Sequence, residues 1–118
     1  MNDKDYGNNL FDKKLKLFCL NVCGVKSKLK YNEFTETIEK NDFVILVETK
    51  LDDLDVLNVP YGYSYCVKNR QNMGKKSGGI AIIYKTYQKK YIEVIETENQ
   101  YVLWVKFSKN IFNFQKKI

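Results

Sequence analysis

Five consecutive apolar residues with strong β preference, Phe43 to Val47 (FVILV), run directly into an acid, Glu48. A continuous apolar run of that length reads as a strand with both faces covered. The carboxylate that follows cannot lie unpaired in the same core, because burying a lone charge costs several kcal/mol, roughly. Upstream, Leu15 to Val22 (LKLFCLNV) reads as a second strand, mostly apolar and so also expected to be buried on both faces, with Cys19 in the core; Gly24 closes it. Ser27 is placed to cap a helix running to about Lys40, with Tyr31, Phe34 and Ile38 on one face. Asn41 and Asp42 end that helix. Strand, helix and strand in this order make a βαβ unit, with parallel neighbouring strands and a right-handed crossover.

The rest of the chain reads as strands and turns. Asp52 to Val59 suits a short helical turn before Pro60, and Gly62 to Lys68 an edge strand. Arg70 to Lys76 is a polar, basic turn, and Gly78 to Tyr84 (GGIAIIY) a buried strand. Tyr91 to Glu96 and Tyr101 to Phe107 pair across Thr97–Gln100, with Tyr101, Leu103, Val105 and Phe107 on one face. Ser108 to Asn110 turns the chain into a further strand from Ile111 to Ile118, and residues 1–14 form a polar leader. The order implies an α/β fold with a helix packed on a sheet.

At 118 residues, with one proline and six glycines, the chain has room for one domain and no linker. Residues 1–59 carry nine lysines against eleven acids, whereas residues 60–118 carry eleven Lys/Arg against three acids. A basic half fits a polyanionic partner, and it equally fits a solvated lysine-rich face. Three cysteines, an odd number, favour a reducing compartment, and with no histidine beside them they argue strongly against a four-ligand zinc site. No apolar stretch is long enough for a membrane span. Lys13 to Val25 imitates a signal peptide, but Asn21 interrupts it and no small-residue cleavage site follows. The expected location is therefore intracellular, the nucleus included, and not secreted.

Two polar residues end buried strands at the carboxyl side, where open α/β sheets gather ligands: Asn21 and Glu48. Neighbouring strand ends lie about 5 Å apart, close enough to share an ion or a bridging water. Position alone leaves two readings. Glu48 either begins a loop and pairs with Lys50, or it binds a hard cation such as Mg²⁺, which suits one carboxylate with waters and phosphate oxygens.

Four segments add to position: LNVCGVKSKLK at 20–30, NDFVILVETKL at 41–51, GYSYC at 62–66 and KKSGGIAIIYK at 75–85. In this order they resemble the endonuclease/exonuclease/phosphatase superfamily, and within it the endonuclease domains of non-LTR retrotransposons, over residues 15–118. The resemblance implies a four-layer α/β sandwich of two mixed sheets with flanking helices, of which the chain is the N-terminal part. It implies a DNA-cleaving phosphodiesterase using Mg²⁺ or Mn²⁺. Glu48 matches the family's metal-binding glutamate, and Asn21 the asparagine that organises the metal and phosphate site. Thr49 and Lys50 complete the Glu-Thr-Lys pattern and would orient phosphate. Gly78 and Gly79 open the next core strand, where a missing side chain permits close backbone packing. Arg70, Lys75 and Lys76 fall in a loop that approaches nucleic-acid backbone in similar domains; an exposed hairpin tip describes them equally well. GKKS at 74–77 is no P-loop, since Asn69 stands where its first glycine belongs.

The family's later motifs (a Tyr/Pro-containing strand end, Gly-Asp-x-Asn, Ser-Asp-His) do not occur in the sequence. The expectation is an enzyme fragment, inactive as this chain, whose partners are DNA and the C-terminal half of the domain. A non-catalytic nucleic-acid binder and an unstable product without function are the alternatives.

Overall fold

The structure, a computed structural model, describes residues 14–70 and 77–111. Six strands and two helices make up the regular part: β1 (Leu17–Asn21), α1 (Val25–Lys28), α2 (Asn32–Lys40), β2 (Phe43–Val47), β3 (Tyr63–Lys68), β4 (Ile80–Lys85), β5 (Ile92–Ile95) and β6 (Trp104–Phe107). The first four strands form one mixed sheet in the order β1-β2-β4-β3, and β5 and β6 a separate antiparallel pair. β1 and β2 run parallel, as the βαβ pattern requires, and β4 is antiparallel to both β2 and β3. This is an α/β domain of two sheets with flanking helices, consistent with part of a four-layer sandwich.

Register assigns the two faces. Val44, Leu46, Ala81 and Ile83 point to the helix side, where they pack with Val22, Val25, Phe34, Ile38, Leu51 and Leu57. Phe43, Ile82 and Tyr84 point the other way, onto Ile111 and the half-buried Ile92, Leu103 and Val105 of the β5–β6 side. Both faces of β2 are therefore covered, as its unbroken apolar run demands. The Phe43 ring lies 5.0 Å from that of Phe107 and contributes about 2–3 kcal/mol through burial.

Several expectations need correction. Among the described residues β1 pairs only with β2, at the edge of their sheet; Leu17 is 54% exposed, and Cys19 is exposed rather than in the core. Its sequence is apolar enough for a central strand, but burial depends on what lies beside it. The single long helix is two: α1 stops after four residues and Tyr31, in an extended conformation, begins α2. Phe34 and Ile38 are buried as the spacing implies, while Tyr31 is exposed. Residues 52–59 form no helix but a turn, in which the Asp55 carboxylate accepts from Asp52 N–H at 2.8 Å. A 3₁₀ helix, Thr86–Tyr91, joins β4 to β5 and takes in Tyr91, which the sequence pattern places at the start of the strand. The leader expected at residues 1–14 lies outside the described residues except for Lys14, and so does the strand expected from Ile111 to Ile118 except for Ile111, which closes a 3₁₀ turn.

Cys66 on β3 gives the fold a pH dependence. Burial, reinforced by the Glu96 carboxylate, pushes its thiol up to about 11 from an ordinary 9.0. The unfolded chain then ionises this thiol first, so stability is complete below about pH 9 and falls as pH rises through 11. Burial also raises Tyr63, Tyr84 and Tyr87, which adds to the loss. Urea midpoints measured across that range are expected to drop, and Cys66→Val to flatten part of the slope. An identical slope in the variant would remove Cys66 as a cause.

Candidate functional site

The sheet gathers its polar termini at one end. Asn21 sits opposite Val47 across the β1–β2 register, and Val47 opposite Ile80, which is in turn opposite Lys68. Three loops leave this end together: residues 22–24 after β1, 48–50 after β2, and 77–79 before β4.

The loop after β2 is the most constrained. Glu48 and Lys50 both adopt left-handed backbone, with φ of 61° and 58°. Such conformations cost a non-glycine residue about 1 kcal/mol or more and persist when their surroundings hold them. Here the holding is by backbone hydrogen bonds from both sides. Gly24 N–H donates to Glu48 O at 2.8 Å and Val25 N–H to Thr49 O at 3.1 Å. On the other side Thr49 N–H donates to Gly79 O at 3.3 Å and Lys50 N–H to Gly78 O at 2.8 Å. The three loops thus continue the ladder beyond the strands that carry them.

Thr49 is the wedge in this arrangement. It is 1% exposed, its hydroxyl has no hydrogen-bond partner among the described residues, and it lies directly against the Gly79 Cα. A Cβ on Gly79 would collide with that hydroxyl, and Gly79 has a φ of +97° that disfavours any side chain. The reading of a glycine pair that permits close packing is what the structure contains.

Around the wedge stand the polar groups. The Asn21 side-chain oxygen accepts from Cys23 N–H at 3.1 Å, an Asx turn that fixes the amide at the end of β1. Glu48 is half-buried, and among the described residues its carboxylate has no hydrogen-bond or ion-pair partner. The alternative of a Glu48–Lys50 pair is not what forms: the Lys50 ammonium turns to the Cys23 sulfur, 3.7 Å away. Arg70 is not an exposed tip. Its guanidinium lies on the Gly78 backbone and 4.5 Å over the Tyr101 ring. Lys75 and Lys76 lie outside the described residues.

Asn21, Glu48, Thr49, Lys50 and, through Gly78, Arg70 are therefore brought to one end of the sheet. Sequence reasoning missed the stack of Tyr101 on Arg70 and the left-handed backbone at Glu48 and Lys50. The ordered Asn-then-Glu-Thr-Lys pattern was the only available signal for the latter. A carboxylate with an amide oxygen one strand away is a donor set that suits a hard cation completed by water and phosphate oxygens. Among the described residues no group of three or more His, Cys, Asp or Glu side chains is placed to hold a metal ion. Nor is any helix among them long and apolar enough to cross a membrane.

No family model matches the sequence, and no curated protein matches it. The fold does match solved structures. One is a 3′ phosphatase, NExo, from Neisseria, bound to a product DNA hairpin, with a TM-score of 0.56 at 17% identity. The match covers 80% of this chain and 38% of that one, so this chain spans well under half the length of its structural relative. At this identity the likeness shows the fold alone: this chain shares part of its fold with that phosphatase.

Proposed function

We propose that this chain carries the metal-binding strand end of a Mg²⁺-dependent phosphodiester-cleaving domain that acts on DNA. The observation that carries the reading is the Glu48 carboxylate: half-buried, unpaired among the described residues, and mounted on a strained turn braced from two sides. Strain held at a strand end beside a second polar group is a mark of function rather than of folding need. The order of the segments at 20–30, 41–51 and 75–85 favours, within the superfamily, an endonuclease of the non-LTR retrotransposon type. A reducing, intracellular setting agrees with three free thiols.

Glu48 would hold Mg²⁺ (or Mn²⁺), with Asn21 beside it. The ion, when bound, supplies Lewis-acid polarisation of a phosphate oxygen. The side-chain N–H groups of Asn21, held in place by its Asx turn, are free to donate to a second phosphate oxygen. The Lys50 ammonium, beside the Cys23 sulfur on the neighbouring loop, adds positive charge at this end of the sheet and would offset the charge of the incoming phosphodiester. With no histidine in its sequence, the chain brings no imidazole to protonate a leaving group or activate water. These residues bind and orient phosphate, and the proton-transfer groups have to come from elsewhere in the domain. The purified chain is accordingly expected to show no Mg²⁺-dependent nicking of supercoiled DNA. Turnover that Glu48→Ala abolishes would contradict this division of labour.

A second reading, a basic nucleic-acid-binding module without catalysis, is favoured by the charge asymmetry alone. Eleven Lys/Arg against three acids in residues 60–118 would give sequence-independent binding. Its affinity should fall by roughly the 0.9 power of salt for each phosphate neutralised on duplex DNA. Salt-insensitive binding would count against an electrostatic interface of either kind.

A further inference from the structure

The Arg70 side chain is held on two sides. One side lies on Gly78, where a Cβ would come within 2.6 Å of its Nε; the other faces the Tyr101 ring at 4.5 Å. Its buried Nε has no hydrogen-bond partner among the described residues, and packing on Gly78 and cation–π attraction to the Tyr101 ring hold the guanidinium. Tyr101, in contrast, is 60% exposed, and with one ring face taken by Arg70 the open area is the other face and edge.

The ring is also mounted on a fixed turn. Tyr101 N–H donates to the Asn99 side-chain oxygen at 2.9 Å, Asn99 N–H to the Thr97 hydroxyl at 3.3 Å, and Val102 N–H to Asn99 O at 3.4 Å. The Lys68 ammonium, at the end of β3, ties the same turn down through Thr97 O at 2.6 Å. An aromatic ring on a pre-ordered turn binds a flat partner without paying to order itself. Gly78, on which Arg70 rests, accepts the hydrogen bond from Lys50 N–H, two residues from Glu48. The stack therefore borders the candidate metal-binding turn.

We infer that Arg70 and Tyr101 form a platform on which an unpaired nucleobase stacks, next to the phosphate that Glu48 serves. The inference rests on the nucleic-acid reading above and narrows it to a strand with at least one base out of its pair. A base inside a duplex has both faces covered by its neighbours and cannot occupy the ring. Stacking on tyrosine tolerates any base, since each has a π face. The guanidinium polarises the ring from behind and brings a positive charge beside it for the strand's phosphates.

The test compares two labelled strands of equal length and charge, by anisotropy with the full chain in about 50 mM salt. One is a thymidine strand of roughly twelve nucleotides, and the other a matching strand of abasic sugar-phosphates. The base-bearing strand is expected to bind about 5- to 100-fold tighter. Tyr101→Leu should remove most of that preference and Tyr101→Phe keep it. Arg70→Ala should lower the salt slope by about 0.7, one phosphate contact on a single strand. Equal binding of the two strands by the unmodified chain overturns the platform while leaving a charge-driven interface standing, and so does a preference that survives Tyr101→Leu. Binding of neither strand, nor of duplex DNA, overturns both.

Discussion

Gly79→Ala is expected to destabilise the fold by about 3 kcal/mol, read as a lowered urea midpoint. Two costs combine. The φ of +97° is one that a Cβ-bearing residue rarely adopts, and the new methyl meets the Thr49 hydroxyl. Thr49 cannot swing aside, being 1% exposed and tied through its backbone to both Gly79 O and Val25 N–H. The other near atoms, Lys50 N and Lys68 O, stand 3.8 Å away, so the collision is with one side chain. A double-mutant cycle separates the terms: in a Thr49→Ala background the added methyl should cost about 1–2 kcal/mol, the backbone strain alone. A Gly79→Ala variant within about 0.5 kcal/mol of the parent would mean that the three loops are not locked together as described.

Glu48→Gln should separate metal binding from folding. The Glu48 carboxylate has no partner among the described residues, so neutralising it removes no bond to any of them. Stability should stay within about 0.5 kcal/mol. Affinity for Mn²⁺, followed by water-proton relaxation, should fall by about tenfold or more, since Gln offers an uncharged oxygen to a hard cation. Asn21→Ala is expected to act in both columns. It removes the Asx turn to Cys23 N–H, at a cost of about 1 kcal/mol, and weakens the ion's surroundings. Loss of stability without loss of Mn²⁺ affinity in Glu48→Gln would mark the residue as structural.

What the sequence made legible follows from local rules. FVILV became the doubly covered β2, GGIAIIY became β4, and the segment at 62–68 became the edge strand β3, because apolar run length and polar punctuation report burial directly. The parallel β1–β2 pair followed from the βαβ order, and with it the meeting of Asn21 and Glu48 at one end. The burial of β1 was not legible, since an apolar strand carries no mark of whether a neighbour lies on its outer side. Nor was the break between α1 and α2, where Tyr31 turns extended although its spacing to Phe34 and Ile38 suits a helix face. Left-handed backbone at Glu48 and Lys50 is held by the hydrogen bonds that Gly24 N–H donates to Glu48 O and Lys50 N–H donates to Gly78 O, not by their own side chains. The Arg70–Tyr101 stack joins residues far apart in sequence with no local pattern to announce it.

The most direct test of the account is where a paramagnetic ion settles. Mn²⁺ added to isotopically labelled chain should broaden the amide signals of Asn21, Glu48, Thr49 and Lys50 first, at low millimolar metal, as expected of a site with about one carboxylate. The same signals should remain sharp in Glu48→Gln. Broadening that begins instead among Asp53, Glu96 and Glu98, or spreads evenly over exposed acids and leaves the end of β2 unaffected, would contradict the assignment of Glu48 as a metal ligand.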